Sequence, residues 1–451
     1  MAALANRPEK AVSRLNSKDK AAARGKNVSM AVSAAVAKPL RVLVSEGSSP
    51  SAREAVTILG LAGHHVEVCD PNRYCLARFS RFVRKFHHCP GLRDDPAGFL
   101  RFVERLLAAG RFDVLLPTHE QGFLFARVRQ RLERHAGLAL PPFASYRAVH
   151  GKAGFSRLLD QLRLPQPVTR IVASATELRD VIRFPAVVKI SVGTASRGVW
   201  FVRNDDDLDA ALRELGASGA FADEVVVQDF VAGATEKAQA VFCDGGLIGF
   251  HGYRQIAAGV GGGEAIKESV SRPELRAAMG TIGERLGWHG ALSIDYIWRD
   301  GSDTPLLIDC NPRLVEPMSG WLAGIDLVGL LLEVSQGNAP AVAGQSRDGV
   351  RTHLAMQVLL GCAARGGRRR DIVREGWRVA AGRGPYAGSK EELTPLRLDW
   401  MGVMPVAMTA VFLLAMPKLA ASLARHGWGA HLLDLGAIRR IESDEFPDEA
   451  L

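Results

Sequence analysis

Short runs of β-branched and other apolar residues recur along this chain, separated by helix-length amphipathic stretches. Leu40 to Gly47 predicts a short buried strand ending in a turn, followed by a helix from about Ser51 to Ala62 and a strand over His65 to Cys69. A helix ending near Gly110 and a strand from Phe112 to Pro117 continue the alternation. Strands alternating with helices imply a small parallel α/β domain. Open sheets of this kind bind ligands beyond their strand ends, so Thr118, His119 and Glu120 are candidates to line a cleft. A helix-capping Thr beside a surface His is the competing account.

The pattern then changes character. Phe184 to Ile190 is a β-branched strand that ends with Lys189 and runs into a small-residue loop, Ser191 to Gly198, before a second strand. Such a loop lets backbone N–H groups approach phosphates, and a lysine supplies a point charge; an ordinary hairpin turn has the same composition. Glu224 to Gly233 is an apolar strand giving way to polar–apolar alternation, capable of presenting backbone groups and an amide to an adenine edge, with Glu236 placed to accept from ribose hydroxyls. Gly290 to Tyr296 and Leu306 to Arg313 are two strands that each deliver a carboxylate, Asp295 and Asp309. Alternate side chains of a strand point the same way, so Asp309, Asn311 and Arg313 share a face. Two Asp and one Asn form an oxygen donor set suited to Mg²⁺, and Arg313 can steady charge on a transferring group. A hairpin with solvated acids is the plainer account of those strands taken alone.

In this order, the segments resemble the ATP-grasp superfamily, in particular its carboxylate–amine ligases and the related carbamoyl-phosphate-synthase-type ATP-binding domains. The resemblance covers roughly residues 40 to 335 and includes a helix opened by Lys152 and leading to Leu164-Pro165-Gln166-Pro167. It implies that Lys152 and Lys189 contact ATP phosphates, that the loop around Ser196 and Gly198 is a lid, and that Gln228, Asp229 and Val231 read adenine, with Glu236 at the ribose. It further implies Asp295, Asp309 and Asn311 as metal ligands and Arg313 as the arginine that stabilises the transition states. Arg254, just before the glycine-rich segment 259–263, is the candidate to hold a substrate carboxylate; a solvated strand-end arginine is the alternative. Two departures stand out. Asp309 occupies a position where the family most often has Glu, and the hinge begins Gln-Asp where Glu is common, with the Gly233 to Glu236 stretch one residue longer than usual.

The resemblance implies an N-terminal parallel α/β domain (39–140) and a two-lobed ATP-grasp domain of α+β subdomains (141–338); it does not reach the remaining 339–451, which is expected to be a mainly helical C-terminal extension. The implied activity is an ATP-dependent ligase that activates a small carboxylate as an acylphosphate and joins it to an amine, using ATP and Mg²⁺, with Mn²⁺ as a substitute. The competing implications are a bicarbonate-using carboxylase or carbamoyl-type enzyme, and a membrane-docked ATP-binding module with little turnover.

Composition narrows the partners. At 451 residues and 47% hydrophobic content the chain can bury a large core. Its net charge of +9 is concentrated in residues 1–38, which carry eight Lys/Arg against two Asp/Glu. That segment reads as a disordered basic tail, with Met30 an alternative start. The remaining body is nearly neutral and lacks an aromatic-studded basic stripe, so nucleic acid is not expected as a partner. Six cysteines show no Cys-x-x-Cys spacing, and no apolar stretch follows the basic N-terminus, which fits reduced thiols in a cytoplasmic protein.

The C-terminal region carries six arginines between Arg365 and Arg378, then 18 uncharged residues from Trp400 to Pro417. That run is short for a membrane span and Pro405 interrupts it. Three placements remain open: a helix packed on the body or at a subunit interface, a helix in the membrane interface making peripheral contact through 365–418, and a span. Oligomeric state is likewise open, a homo-oligomer included.

Overall fold

The computed structural model describes residues 38–193, 198–260, 263–393, 395–420, 432–443 and 446. Lys38–Leu451 form one compact unit.

Strands β1 (Arg41–Val44), β2 (His65–Asp70), β3 (Val83–His88) and β4 (Val114–Leu116) form a parallel sheet in the order β3-β2-β1-β4. The central strand is wholly apolar inside, with Val42, Leu43 and Val44 fully buried, as expected where helices cover both faces. The first crossover helix, Pro50–Leu61, starts where Ser49 accepts from the Ala52 N–H and Pro50 takes the first turn. These elements match the alternation in the sequence closely.

The second sheet is antiparallel and small. Strands β5 (Thr169–Val172), β6 (Ala186–Ile190), β7 (Val199–Val202) and β8 (Val225–Asp229) lie in the order β5-β8-β6-β7 around their own core of Val188, Val225, Val227 and Leu215. The chain crosses from β8 to a seven-stranded sheet through residues 230–233. That large sheet consists of β9 (Ala234–Cys243), β10 (Gly246–Ala258), β11 (Glu264–Val270), β12 (Gly290–Trp298) and β13 (Leu306–Asn311), joined by β14 (Arg351–His353) and β15 (Lys390–Glu391), in the order β13-β12-β9-β10-β11-β14-β15.

The last two strands come from the region expected to be a separate, mainly helical extension. It is helical over Ala355–Ala364, Arg369–Ala380 and Val403–Ala415, yet it also completes the large sheet, so the expected boundary at 338 runs through continuous structure. No helix among the described residues is long and apolar enough to cross a membrane. The Val403–Ala415 helix instead packs one side against its helical neighbours through Leu413.

Candidate active site between the two antiparallel sheets

Asp295 on β12 stands directly opposite Asp309 on β13, and Ser293 stands opposite Asn311. Opposed residues of an antiparallel pair share a face, so both carboxylates and the Asn311 amide project from the same side of the large sheet. Cys310, one residue out of phase, is buried on the other side. Beyond the strand end the chain turns back, with the Arg313 N–H donating to the Asn311 carbonyl at 2.8 Å and the Ser293 hydroxyl donating to the Arg313 carbonyl at 2.6 Å. This holds the Arg313 guanidinium close enough to donate to Asn311 Oδ1 at 3.3 Å.

Two lysines reach these acids. Lys152 is the first residue of the Lys152–Leu162 helix; its Nζ lies 3.3 Å from Asp309 Oδ2 and donates to the Gly193 carbonyl at 2.7 Å. Lys189 projects from β6 of the small sheet and donates to the Ile308 carbonyl at 3.1 Å. Burial pushes its ammonium down to about 8, opposed by the nearby Asp309 carboxylate. Gln228 opposes Val187 on the adjacent strand and so shares the Lys189 face of the small sheet, where its amide donates to Thr169 Oγ1 at 3.1 Å. Asp229 takes the other face and pairs with Arg170 at 2.6 Å. Val231 lies half-buried in the crossing segment between the sheets.

Ser196 lies outside the described residues. The far end of its loop returns at Gly198 with φ +71, a conformation that favours glycine, and a Cβ there would strike the Ile190 side chain at 2.4 Å.

Three expected residues are not brought to this cluster: Asp229, whose side chain turns from the Lys189 face to Arg170 and so is corrected as an adenine contact, and Glu236 and Arg254. Glu236 opposes Tyr296 on one side and Arg254 on the other, so it stands on the sheet face away from Asp295 and Asp309. There it is buried, bridged to Arg272 at 2.8 Å and accepting from the Tyr296 hydroxyl at 2.7 Å. This corrects the ribose assignment, because a buried carboxylate already satisfied by Arg272 and Tyr296 on the far face has no path to the cleft. Arg254 is corrected for the same reason: it shares that far face and is tied to Glu268, which also holds Arg351 at 2.6 Å. Thr118, His119 and Glu120 are buried too; Thr118 donates to Glu46 Oε1 at 3.0 Å and Glu120 accepts from the Leu433 N–H.

The residue that does occupy the cleft face of β9 is Lys237, opposed to both Asp295 and Tyr253. Its ammonium pairs with Glu264 at 2.7 Å and lies 3.9 Å from Asp295. Burial alone would lower it, but Asp295, Glu264 and Glu316 outweigh that and hold it above its ordinary value. Asp295 is pushed up to about 6, chiefly by burial and partly by Asp309, with Lys237 pulling the other way. Sequence reasoning passed over Lys237 because Thr235, Glu236 and Lys237 are consecutive polar residues that give no alternation to choose a face.

Hard oxygen donors from Asp295, Asp309 and Asn311, held in register on neighbouring strands beside two ammonium groups, fit a divalent cation shared with a polyanion.

No family model matches the chain. Over 179 residues it is 28% identical to the carbamoyl phosphate synthase large chain of Deinococcus radiodurans, covering 36% of this chain and 17% of that protein. Over 205 residues it is 26% identical to the corresponding large chain of Rubrobacter xylanophilus, covering 41% and 19%. The chain thus spans about a fifth of the length of these curated relatives. Among solved structures, the ADP complex of N5-carboxyaminoimidazole ribonucleotide synthetase superposes with TM-score 0.57 at 14% identity, covering 82% of this chain and 97% of that one. The biotin carboxylase domain dimer of Hydrogenobacter thermophilus 2-oxoglutarate carboxylase, bound to MgADP, ADP and bicarbonate, gives 0.55 at 14%, covering 70% and 74%. The L-amino acid ligase from Bacillus licheniformis gives 0.51 at 17%, covering 66% and 75%. These are ATP-grasp enzymes, and this chain has the ATP-grasp fold.

Proposed function

We propose that the chain is an ATP-dependent ligase that activates a small-molecule carboxylate and joins it to an amine. The observation that carries this reading is the convergence of Lys152 from a helix start and Lys189 from the small sheet on the in-register Asp295–Asp309 pair of the large sheet. A nucleotide triphosphate between the sheets would meet the two ammonium groups at its phosphates, with Gln228 and Val231 near the base.

In the reaction, a substrate carboxylate oxygen attacks the γ-phosphorus, forming a new O–P bond as the bond to the bridging oxygen breaks and ADP leaves. The amine nitrogen then attacks the acyl carbon, phosphate leaves, and the nitrogen loses a proton. Asp295, Asp309 and Asn311 would hold Mg²⁺, which would supply neutralisation of the phosphate charge. Lys152 and Lys189 orient the same phosphates. Arg313, held by Asn311 at the strand end, faces the charge that develops as the acyl group transfers.

The sequence match to carbamoyl phosphate synthase large chains favours a second reading in which bicarbonate is the activated carboxylate. One assay separates the two: ADP release from the protein with MgATP, over pooled amino acids and small carboxylates with amines, and over bicarbonate alone. Release that requires a carboxylate and an amine and is lost in Asp309→Ala supports the ligase. Release that requires only bicarbonate replaces it with the second reading, and no stimulated release from any pool refutes both.

A further inference from the structure

The Val403–Ala415 helix contains one polar residue, Thr409, in thirteen, a composition that belongs in a core. Among the described residues only one side of it is covered. Leu413 is buried against the neighbouring helices and Pro405 is buried as well, whereas Val403, Met404, Met408 and Val411 face outward, Met408 at 55% and Val411 at 68% exposure. Positions 404, 408, 411 and 415 repeat at helical spacing, so they form one continuous stripe. Trp400, 65% exposed, extends it just before the helix, and Met416 extends it just after. Contiguous apolar surface of this kind marks an interaction site.

Charge identifies the partner. Arg73 and Arg78 line one cleft with Met401 at the start of the stripe, and Lys418 follows its end. Arg369 donates to the Leu414 and Ala415 carbonyls, which fixes the exposed arginines of the Arg369–Ala380 helix at that same end. The acids nearby are already engaged: Asp371 with Arg374 at 3.0 Å, and Glu375 with Arg378 and the Tyr386 hydroxyl. A second copy docking stripe to stripe would lay cationic ends on cationic ends, because a two-fold contact places the same patch on both sides. An anionic lipid surface matches both features.

We infer that the Val403–Ala415 helix docks the protein on anionic membranes, its Met404–Met408–Val411 stripe entering the headgroup region while arginines at either end meet lipid phosphates. The helix lies in the surface and does not cross it. This inference is independent of the ligase reading.

The test is flotation of the full-length protein with phosphatidylcholine vesicles, alone or mixed with phosphatidylglycerol, beside sedimentation velocity without lipid. The expected result is flotation with the mixed vesicles only, abolished in Met408→Glu/Val411→Glu. Arg73→Glu and Arg370→Glu should each weaken binding by at least about fivefold, the loss expected for removing one cation from the surface. Both substitutions fall on exposed side chains, and unchanged circular dichroism and urea midpoint show that the fold is intact. Failure to float with mixed vesicles overturns the inference, as does flotation that the double variant retains. A lipid-free dimer that the double variant converts to monomer also overturns it and assigns the stripe to a second copy.

Discussion

Lys267→Met tests how the structure balances buried charge. Lys267 lies on β11, wholly buried, paired with Glu316 and with Glu392 at 2.6 Å, its ammonium 5.0 Å from the Tyr253 ring centroid. Glu54, from the first helix of the parallel domain, is buried nearby and adds to the field on Lys267. Three carboxyl groups therefore surround one ammonium. Burial alone would lower the lysine, but Glu316, Glu392 and Glu54 together hold it well above its ordinary value. Glu392 is pushed up to about 7, mainly by burial, so it is already near half neutral at pH 7. Removing the ammonium leaves buried carboxylate charge with no cation beside it. Protonating a carboxyl whose unfolded pKa is about 4.3 costs roughly 3.7 kcal/mol at pH 7, from 1.36 kcal/mol per unit. That agrees with the roughly 3–5 kcal/mol seen when one partner of a buried pair is removed. A carboxyl whose folded pKa is raised contributes stability present below its unfolded pKa and lost as pH rises through the folded value. The defect should therefore shrink on acidification, by about 1.4 kcal/mol per pH unit between pH 7 and 5. The wild type itself should lose stability as pH rises through about 7, where Glu392 ionises. Urea unfolding of both proteins from pH 5 to 8, followed by tryptophan fluorescence, measures this directly. A defect under about 1 kcal/mol at pH 7, or one that stays constant with pH, would refute the reasoning. Adding Glu316→Gln to the variant should restore part of the loss.

Two further outcomes separate the cleft face from the far face. Arg254→Ala should leave the KM of each substrate within about twofold of wild type in the ADP-release assay, since Arg254 is spent on Glu268 across the sheet from the acids; a large rise in KM would return it to the site. MgADP affinity, measured by calorimetry, should fall as pH drops below about 6, approaching tenfold per unit, because Asp295 must lose its proton to ligate a cation. A flat profile between pH 5 and 7 would remove Asp295 from the metal set.

The parts of the site that the sequence made legible are those in which spacing along one strand decides the geometry. Asp309 and Asn311 are two residues apart and so share a face whatever the rest of the fold does, and Asp295 meets them because β12 and β13 are consecutive and antiparallel. Lys152 at a helix start and Lys189 near a strand end were equally local. Glu236 and Arg254 were misplaced because their faces depend on register against neighbours. Moving one residue along β9 exchanges Glu236 for Lys237 and reverses the side, and Arg254 follows Glu236 through direct pairing. Strands β14 and β15, of three and two residues, are too short to leave a periodic signal, so the extension looked separate and helical. The ion pair between Lys267 and Glu392 spans 125 residues, and no local pattern announces it.

These long-range pairs change what the C-terminal extension is. Asp399 forms a fully buried bridge to Arg53 at 2.9 Å and accepts from the Ser80 hydroxyl at 2.5 Å, both in the parallel domain. Glu392 closes the Lys267 cluster in the large sheet. Deleting the extension would leave the buried Arg53 guanidinium without Asp399 and take one of the two paired carboxylates from Lys267, so Glu392 and Asp399 tie the extension into the parallel domain and the large sheet. The apolar Val403–Ala415 helix begins four residues after Asp399. An exposed apolar helix on a loose tail could fold back and hide its stripe. One that starts beside a buried ion pair is held in place, with its uncovered side presented outward.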